Sequence, residues 1–194
     1  MEEKELTQWL HEMFQATIPA LENIERGFVT QNQTMLQQGE TQFVEILTSN
    51  LLFAEKIITE KQKNDVDKKF LSLLVPLQEI ALAMRRLIAK KKTILLRDVI
   101  FSVKAITEIT ELLSVMKTQF IDTRDLIITK NPILKENIKS GMERITEMTN
   151  GYAVAHEGRL ITGACMPKAS YLYLGIIGSI KRISQELVSL SERI

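Results

Sequence analysis

The chain has 194 residues, 45% of them hydrophobic and 25% charged, which suits one domain or two small bundles with a real core and is too apolar for a disordered segment. Its 25 basic and 24 acidic side chains nearly cancel at net charge +1, without the one-signed excess typical of a nucleic-acid binder. The single cysteine, Cys165, has no internal partner for a disulfide, which points to a reducing compartment such as the cytoplasm.

The opening MEEKELTQWLHEMF is acidic and amphipathic and lacks the basic and apolar regions of a secretory signal. Its periodicity predicts a first helix from about Glu3 to Asn32, with Leu6, Trp9, Leu10, Met13, Leu21, Ile24 and Phe28 on the apolar face and Pro19 kinking or interrupting it. The polar stretch TQNQTMLQQGE, with Gly39, predicts the first corner. Phe43, Ile46, Leu47, Leu51, Ala54, Ile57 and Ile58 then recur at spacings of three and four, as in a second helix.

KQKNDVDKK breaks the pattern, and Asn64 or Asp65 suits a cap for a third helix. That helix has Phe70, Leu74, Leu77, Ala81, Met84 and Ile88 on one stripe, widened by Leu73, Ile80 and Leu87. Pro76 leaves two readings, a kinked helix or a start nearer Leu74. After KKK the pattern restarts: Ile100, Val103, Ile106, Ile109, Leu113, Met116, Phe120 and Ile127 define a fourth helix that ends at TKNP. Pro132 opens a fifth, with Leu134, Ile138, Ile145, Met148, Tyr152 and Ala155, and Pro167 opens a sixth, with Leu172, Ile176, Ile180, Ile183, Leu187, Leu190 and Ile194.

Leu160 to Ile180 carries one charge, Lys168, over about the length of a membrane span, but Gly163 and Pro167 divide it into pieces too short to cross. The reading is therefore a soluble, all-α protein of six helices, long–medium–long twice over. The simplest packing is two antiparallel three-helix bundles related as a pseudo-repeat, residues 1–92 and 93–194.

Catalytic patterns are missing from the sequence. Neither His11 nor His156 has a second histidine or cysteine at zinc-ligand spacing, and no Glu-x-x-His pair, glycine-rich phosphate loop or nucleophile elbow occurs. His156, one turn after Tyr152, reads as a packed, hydrogen-bonded side chain. Cys165 beside Met166 reads as a small buried hydrophobe. Glu108 and Glu111 read as part of a solvated helix face, or as carboxylates for a hard cation. An alternative metal set, for iron or zinc, would combine Glu108, Glu111, Glu143, Glu147 and His156, provided helices four and five face each other. The basic cluster Arg85, Arg86, Lys90, Lys91 and Lys92 either offsets a helix dipole or docks on anionic lipid or an acidic partner.

The stretch HEGRLITGACMPKASYLYLGIIGSIKRI resembles the last quarter of PhoU-like domains, and most nearly those fused behind bacterial sodium–phosphate cotransporters. In that family a helix ends in His-x-x-Arg-Leu, a Gly-x-Cys-x-Pro turn follows, and the final helix carries Glu-Arg-Ile-Gly-Asp-His. Here His156, Arg159, Leu160, Gly163, Cys165, Pro167, Arg182 and Ile183 match, over roughly thirty positions judged on turn and helix-start chemistry. The family binds metal through acidic pairs four apart on the last helix of each half. This chain has Lys181 and Gln185 there, and Gln78 and Leu82 at the counterpart in helix three. A lysine ammonium has no lone pair for a metal, so no metal or cofactor is expected at those positions.

The retained residues look architectural: Arg159 and His156 anchor a helix end, Gly163 turns the chain and Pro167 starts the last helix. The resemblance implies a non-catalytic cytoplasmic regulator of phosphate transport or phosphate signalling, free-standing or the tail of a transporter. It would dock on a membrane phosphate transporter or sensor, be membrane-associated through that partner, and pair as a homodimer, for which wide apolar faces on helices three and six would be suited. A structural bundle with no phosphate role is the remaining alternative.

Overall fold

The computed structural model describes residues 2–59, 65–96 and 101–194. Among these the chain forms helices and no strands: α1 (Glu3–Val29), α2 (Gln33–Thr59), α3 (Asp65–Leu96), α4 (Val103–Thr129), α5 (Pro132–Ile161) and α6 (Pro167–Ser191). No helix of the described residues is long and apolar enough to cross a membrane.

Helix ends follow local chemistry. Asn32 starts α2, its side-chain oxygen accepting from the Met35 amide at 3.1 Å, and Ser102 does the same for Ala105 of α4 at 3.2 Å. Asn131 accepts from the Ile133 amide at 3.1 Å, with Pro132 in the first turn of α5, where its missing N–H costs nothing. The proposed cap Asn64 and the apolar Ile100 lie outside the described residues.

Two boundaries differ from the sequence reading. The α1–α2 corner is at Thr30–Asn32, with Gln31 at φ 53, and Gly39 lies within α2. A Cβ on Gly39 would stand 2.8 Å from the Ala20 carbonyl oxygen and 2.8 Å from Ile24 Cγ1, so this glycine serves the close approach of α2 to α1 and not a turn. Pro19 and Pro76 lie inside continuous helices, and of the two readings left by Pro76 the helix that runs through it is the one formed, since α3 begins at Asp65 and not near Leu74. The lysine run does not end α3 either, which continues to Leu96.

One hydrophobic core joins all six helices, through Phe14 and Ile24, Leu36 and Phe43, Phe70 and Met84, Leu112 and Phe120, Ile138 and Ile145, and Ile176 and Leu187. α1 packs on α2 and α4, and α4, α5 and α6 touch pairwise, while α3 packs chiefly on α6. Polar links give the senses. Lys117 and Arg124 of α4 reach Glu25 and Gln15 of α1, and Arg182 and Tyr171 of α6 meet Glu79 and Lys90 of α3, so both pairs are antiparallel. The wide stripe of α3 is explained by this packing: Leu73, Ile80 and Leu87 are buried within the chain against its own helices, and are not a free face for a second copy.

Candidate functional site

The corner between α5 and α6 is where the sequence resemblance and the buried polar groups coincide. It is closed by a Schellman turn. Gly163 sits at φ +71, its amide donates to the Leu160 carbonyl at 3.2 Å, and the Ala164 amide donates to the Arg159 carbonyl at 2.8 Å. Pro167 then occupies the first turn of α6, after Met166. Cys165 is a half-buried free thiol.

Beneath this turn Arg159 reaches across to α4. Its two terminal nitrogens donate to the two carboxylate oxygens of Glu108 at 2.9 and 2.8 Å. The Tyr173 hydroxyl of α6 donates to the same carboxylate at 2.6 Å. Glu108 and Tyr173 are fully buried, and the Arg159 side chain is 18% exposed. A carboxylate removed from water requires charge-assisted partners, and here three donors from two helices supply them. Burial, and then the hydrogen bond to Glu108 and its charge, push the Tyr173 phenol far above its usual range. The solvated-face reading of Glu108 is thus overturned. Glu108 follows Ala105 by three positions and precedes Leu112 by four, so the core stripe of α4 carries it inward.

His156 completes the cluster. Its ring stacks on Tyr173 with centroids 4.6 Å apart, and its Nε2 stands 2.6 Å from the Ser170 hydroxyl. Burial, with the charge of Arg159, lowers its pKa. A neutral ring can then accept the Ser170 proton at Nε2, leaving Nδ1, which is buried and has no hydrogen-bond partner. One turn earlier, the Tyr152 hydroxyl donates to Glu111, and burial together with that carboxylate raises the Tyr152 pKa to about 12. A serine beside a histidine is the start of a nucleophilic pair, but such a pair requires a third group to orient the ring. Nδ1 has none, and the carboxylate of Glu108 is held by Arg159 and Tyr173.

α4 and α5 do face each other, yet the alternative metal set is not brought together. Glu143 and Glu147 are exposed on α5, while Glu108, Glu111 and His156 are engaged as described. Among the described residues no three His, Cys, Asp or Glu side chains converge as a metal site. Lys181 lies 3.4 Å from Asn150 Oδ1, Gln185 and Gln78 are exposed, and Leu82 is partly so. Between these positions Arg182 bonds Glu79 of α3 at 3.2 Å and Glu186 of its own helix at 3.0 Å, so one guanidinium holds both carboxylates and ties α6 to α3.

The basic cluster divides. Arg85 and Arg86 are exposed, and the Lys90 ammonium lies 3.4 Å above the Tyr171 ring, with its stem passing over Gly175. The side chains of Lys91 and Lys92 lie outside the described residues. Elsewhere an open groove of about 560 Å³ runs between α4 and α5, lined among others by Glu111, Gln119, Asp122 and Arg144. Gln119 spans the two helices by donating to the Ile138 carbonyl at 2.7 Å. Tyr173 and Ser170 were not singled out by the sequence reading. No family model, no curated protein and no solved structure matches the chain.

Proposed function

We propose that this chain is a non-catalytic regulatory module of the PhoU-like kind, which modulates phosphate transport or phosphate signalling by docking on a membrane transporter or sensor. The observation that supports this reading is the clasp of Arg159 and Tyr173 on Glu108. It ties the HEGRLITGACMP corner, on which the resemblance rests, to α4 and α6, and it spends the site's charged groups on one another. What remains for a partner is the shape and surface of the helices. Recognition would be by helix surfaces, with no bond made or broken.

The test is deletion of the gene in its native host, followed by measurement of phosphate uptake and of starvation-responsive expression in replete and starved cells. The module predicts altered uptake, or a starvation response that no longer follows external phosphate, restored by the wild-type gene. Unchanged uptake and response in both conditions would overturn the phosphate role and leave a structural bundle.

A further inference from the structure

Both ends of the bundle expose apolar side chains, Ile133 at 65% and Ile128 at 50% at the α4–α5 end, but the α5–α6 corner end differs from it in charge. The Arg159–Glu108, His156–Ser170 and Lys90–Tyr171 contacts place the C-terminal parts of α3 and α5 beside the N-terminal parts of α4 and α6. At this tip four large apolar or aromatic side chains project into solvent: Val103 at 82%, Ile161 at 80%, Tyr171 at 69% and Met166 at 58% exposure. Around them lie Lys90, Lys104 and Lys168, with Arg85 and Arg86 a further turn along α3. Within two turns of the tip, Glu157 is the one exposed acid among the described residues, and Glu111, which accepts from Tyr152, lies just beyond that distance along α4. At the opposite end Lys4, Lys68 and Lys130 are matched by Glu3, Glu5 and Asp65, and Lys68 is itself paired with Asp65 at 2.8 Å.

Exposed apolar residues scattered singly need no explanation, but a group of them on one tip, ringed by cations, marks a binding surface. A pocketed protein partner would favour a flat or grooved apolar face with its own satisfied rim. This tip instead projects side chains outward from helix ends and a Schellman turn, with an aromatic ring paired to a lysine, as at a membrane–water interface. We infer that the α5–α6 corner end docks directly on an anionic lipid surface. Val103, Ile161, Met166 and Tyr171 enter the headgroup layer, and Lys90, Lys104 and Lys168 meet lipid phosphates. No helix spans the bilayer in this mode, and the clasp on Glu108 fixes the corner rigidly enough to present the four side chains together. The inference is independent of the phosphate role: lipid binding and the uptake phenotype can each fail alone.

The experiment is co-sedimentation of the purified full chain with vesicles of phosphatidylcholine alone and of phosphatidylcholine with 30% phosphatidylglycerol. Binding is expected to the anionic vesicles, to weaken strongly as salt rises, and to be absent on the neutral ones. The double variant K104E/K168E should reduce the partition coefficient roughly tenfold or more, and I161S/M166S should reduce it further at high salt, where electrostatics is screened. K68E/K130E, at the opposite end, should leave it within about twofold of wild type if the surface is where it is placed here. Circular dichroism and thermal melting of each variant confirm that it is folded. No sedimentation with anionic vesicles would overturn the proposal and return the tip to a protein partner. Equal binding by K104E/K168E, or binding lost instead in K68E/K130E, would also overturn it.

Discussion

Replacing Glu108 by alanine should be among the most damaging single changes in the α4–α6 half. The substitution removes one carboxylate and strands two donors, the Arg159 guanidinium and the fully buried Tyr173 hydroxyl. Breaking a buried pair from one side costs about 3–5 kcal/mol when the surviving charge is sealed in. Arg159 retains 18% exposure and can turn partly to water, which trims that figure, while the orphaned Tyr173 hydroxyl adds about 1 kcal/mol or more. About 3–4 kcal/mol is the balance, or roughly 6–15 °C in Tm for a chain of this size. Glu108→Gln, which still accepts from Tyr173 and from one guanidinium nitrogen, should cost about half as much. The double variant Glu108→Leu with Arg159→Met removes both charges and should be more stable than either single change, because no buried charge is left unpaired. Thermal and urea denaturation followed by circular dichroism reads wild type, these variants and the two single changes of the double variant. A Tm within about 1 °C of wild type for Glu108→Ala would refute the clasp, because a solvated glutamate would give that result.

Alkaline titration separates the three tyrosines. The ammonium of Lys90 lowers Tyr171, whereas Tyr152 is raised to about 12 and Tyr173 further. Ultraviolet difference absorbance should therefore show one phenol ionising below the usual range and two above it. For the raised pair, stability is complete below the unfolded value of 10.0 and is lost as pH climbs through the folded values, so unfolding should begin above about pH 10. On the acid side His156 is lowered from 6.5, so its contribution is present above that value and is lost as pH falls through the lower folded pKa. Histidine-to-glutamine substitution should flatten that limb in pH-dependent melts. Among the glycines, Gly39→Ala should destabilise by about 1–3 kcal/mol through overpacking against α1, and Gly163→Ala by about 1–2 kcal/mol through its left-handed backbone. Gly151→Ala, which meets nothing within 4 Å inside α5, should stabilise by about 0.5–1 kcal/mol.

The helical pattern was legible because long apolar stripes outvote isolated breakers. Pro167, Pro132 and Gly163 were readable from local chemistry, since each sits at a helix end where its backbone preference is satisfied. Gly39 misled the reading because a glycine among glutamines looks like a turn. Its actual role is set by the Ala20 backbone on another helix, which spacing along α2 does not reveal. The lysine run before Thr93 misled it in the same way, because Lys90 is anchored by Tyr171 on α6. Glu108 was partly legible: counted from Ala105 and Leu112, it falls on the buried stripe, but its charge argued for solvent. Only the approach of Arg159 and Tyr173, 51 and 65 residues away in sequence, makes that burial tolerable. Pairing at such separations depends on tertiary packing, so the clasp had to be found in the fold.

Elemental analysis tests the central claim most directly: that the corner is a clasp holding a docking module and not a metal centre. The tag-free protein would be incubated with excess iron, zinc, manganese or calcium, passed through gel filtration and assayed for bound metal. The account predicts that none is retained, with Arg182 already lying between Glu79 and Glu186 and the Glu108 carboxylate held by three donors, two of them from a guanidinium. Retention of about one ion or more per chain would contradict it and return attention to the carboxylates of α4 and α5.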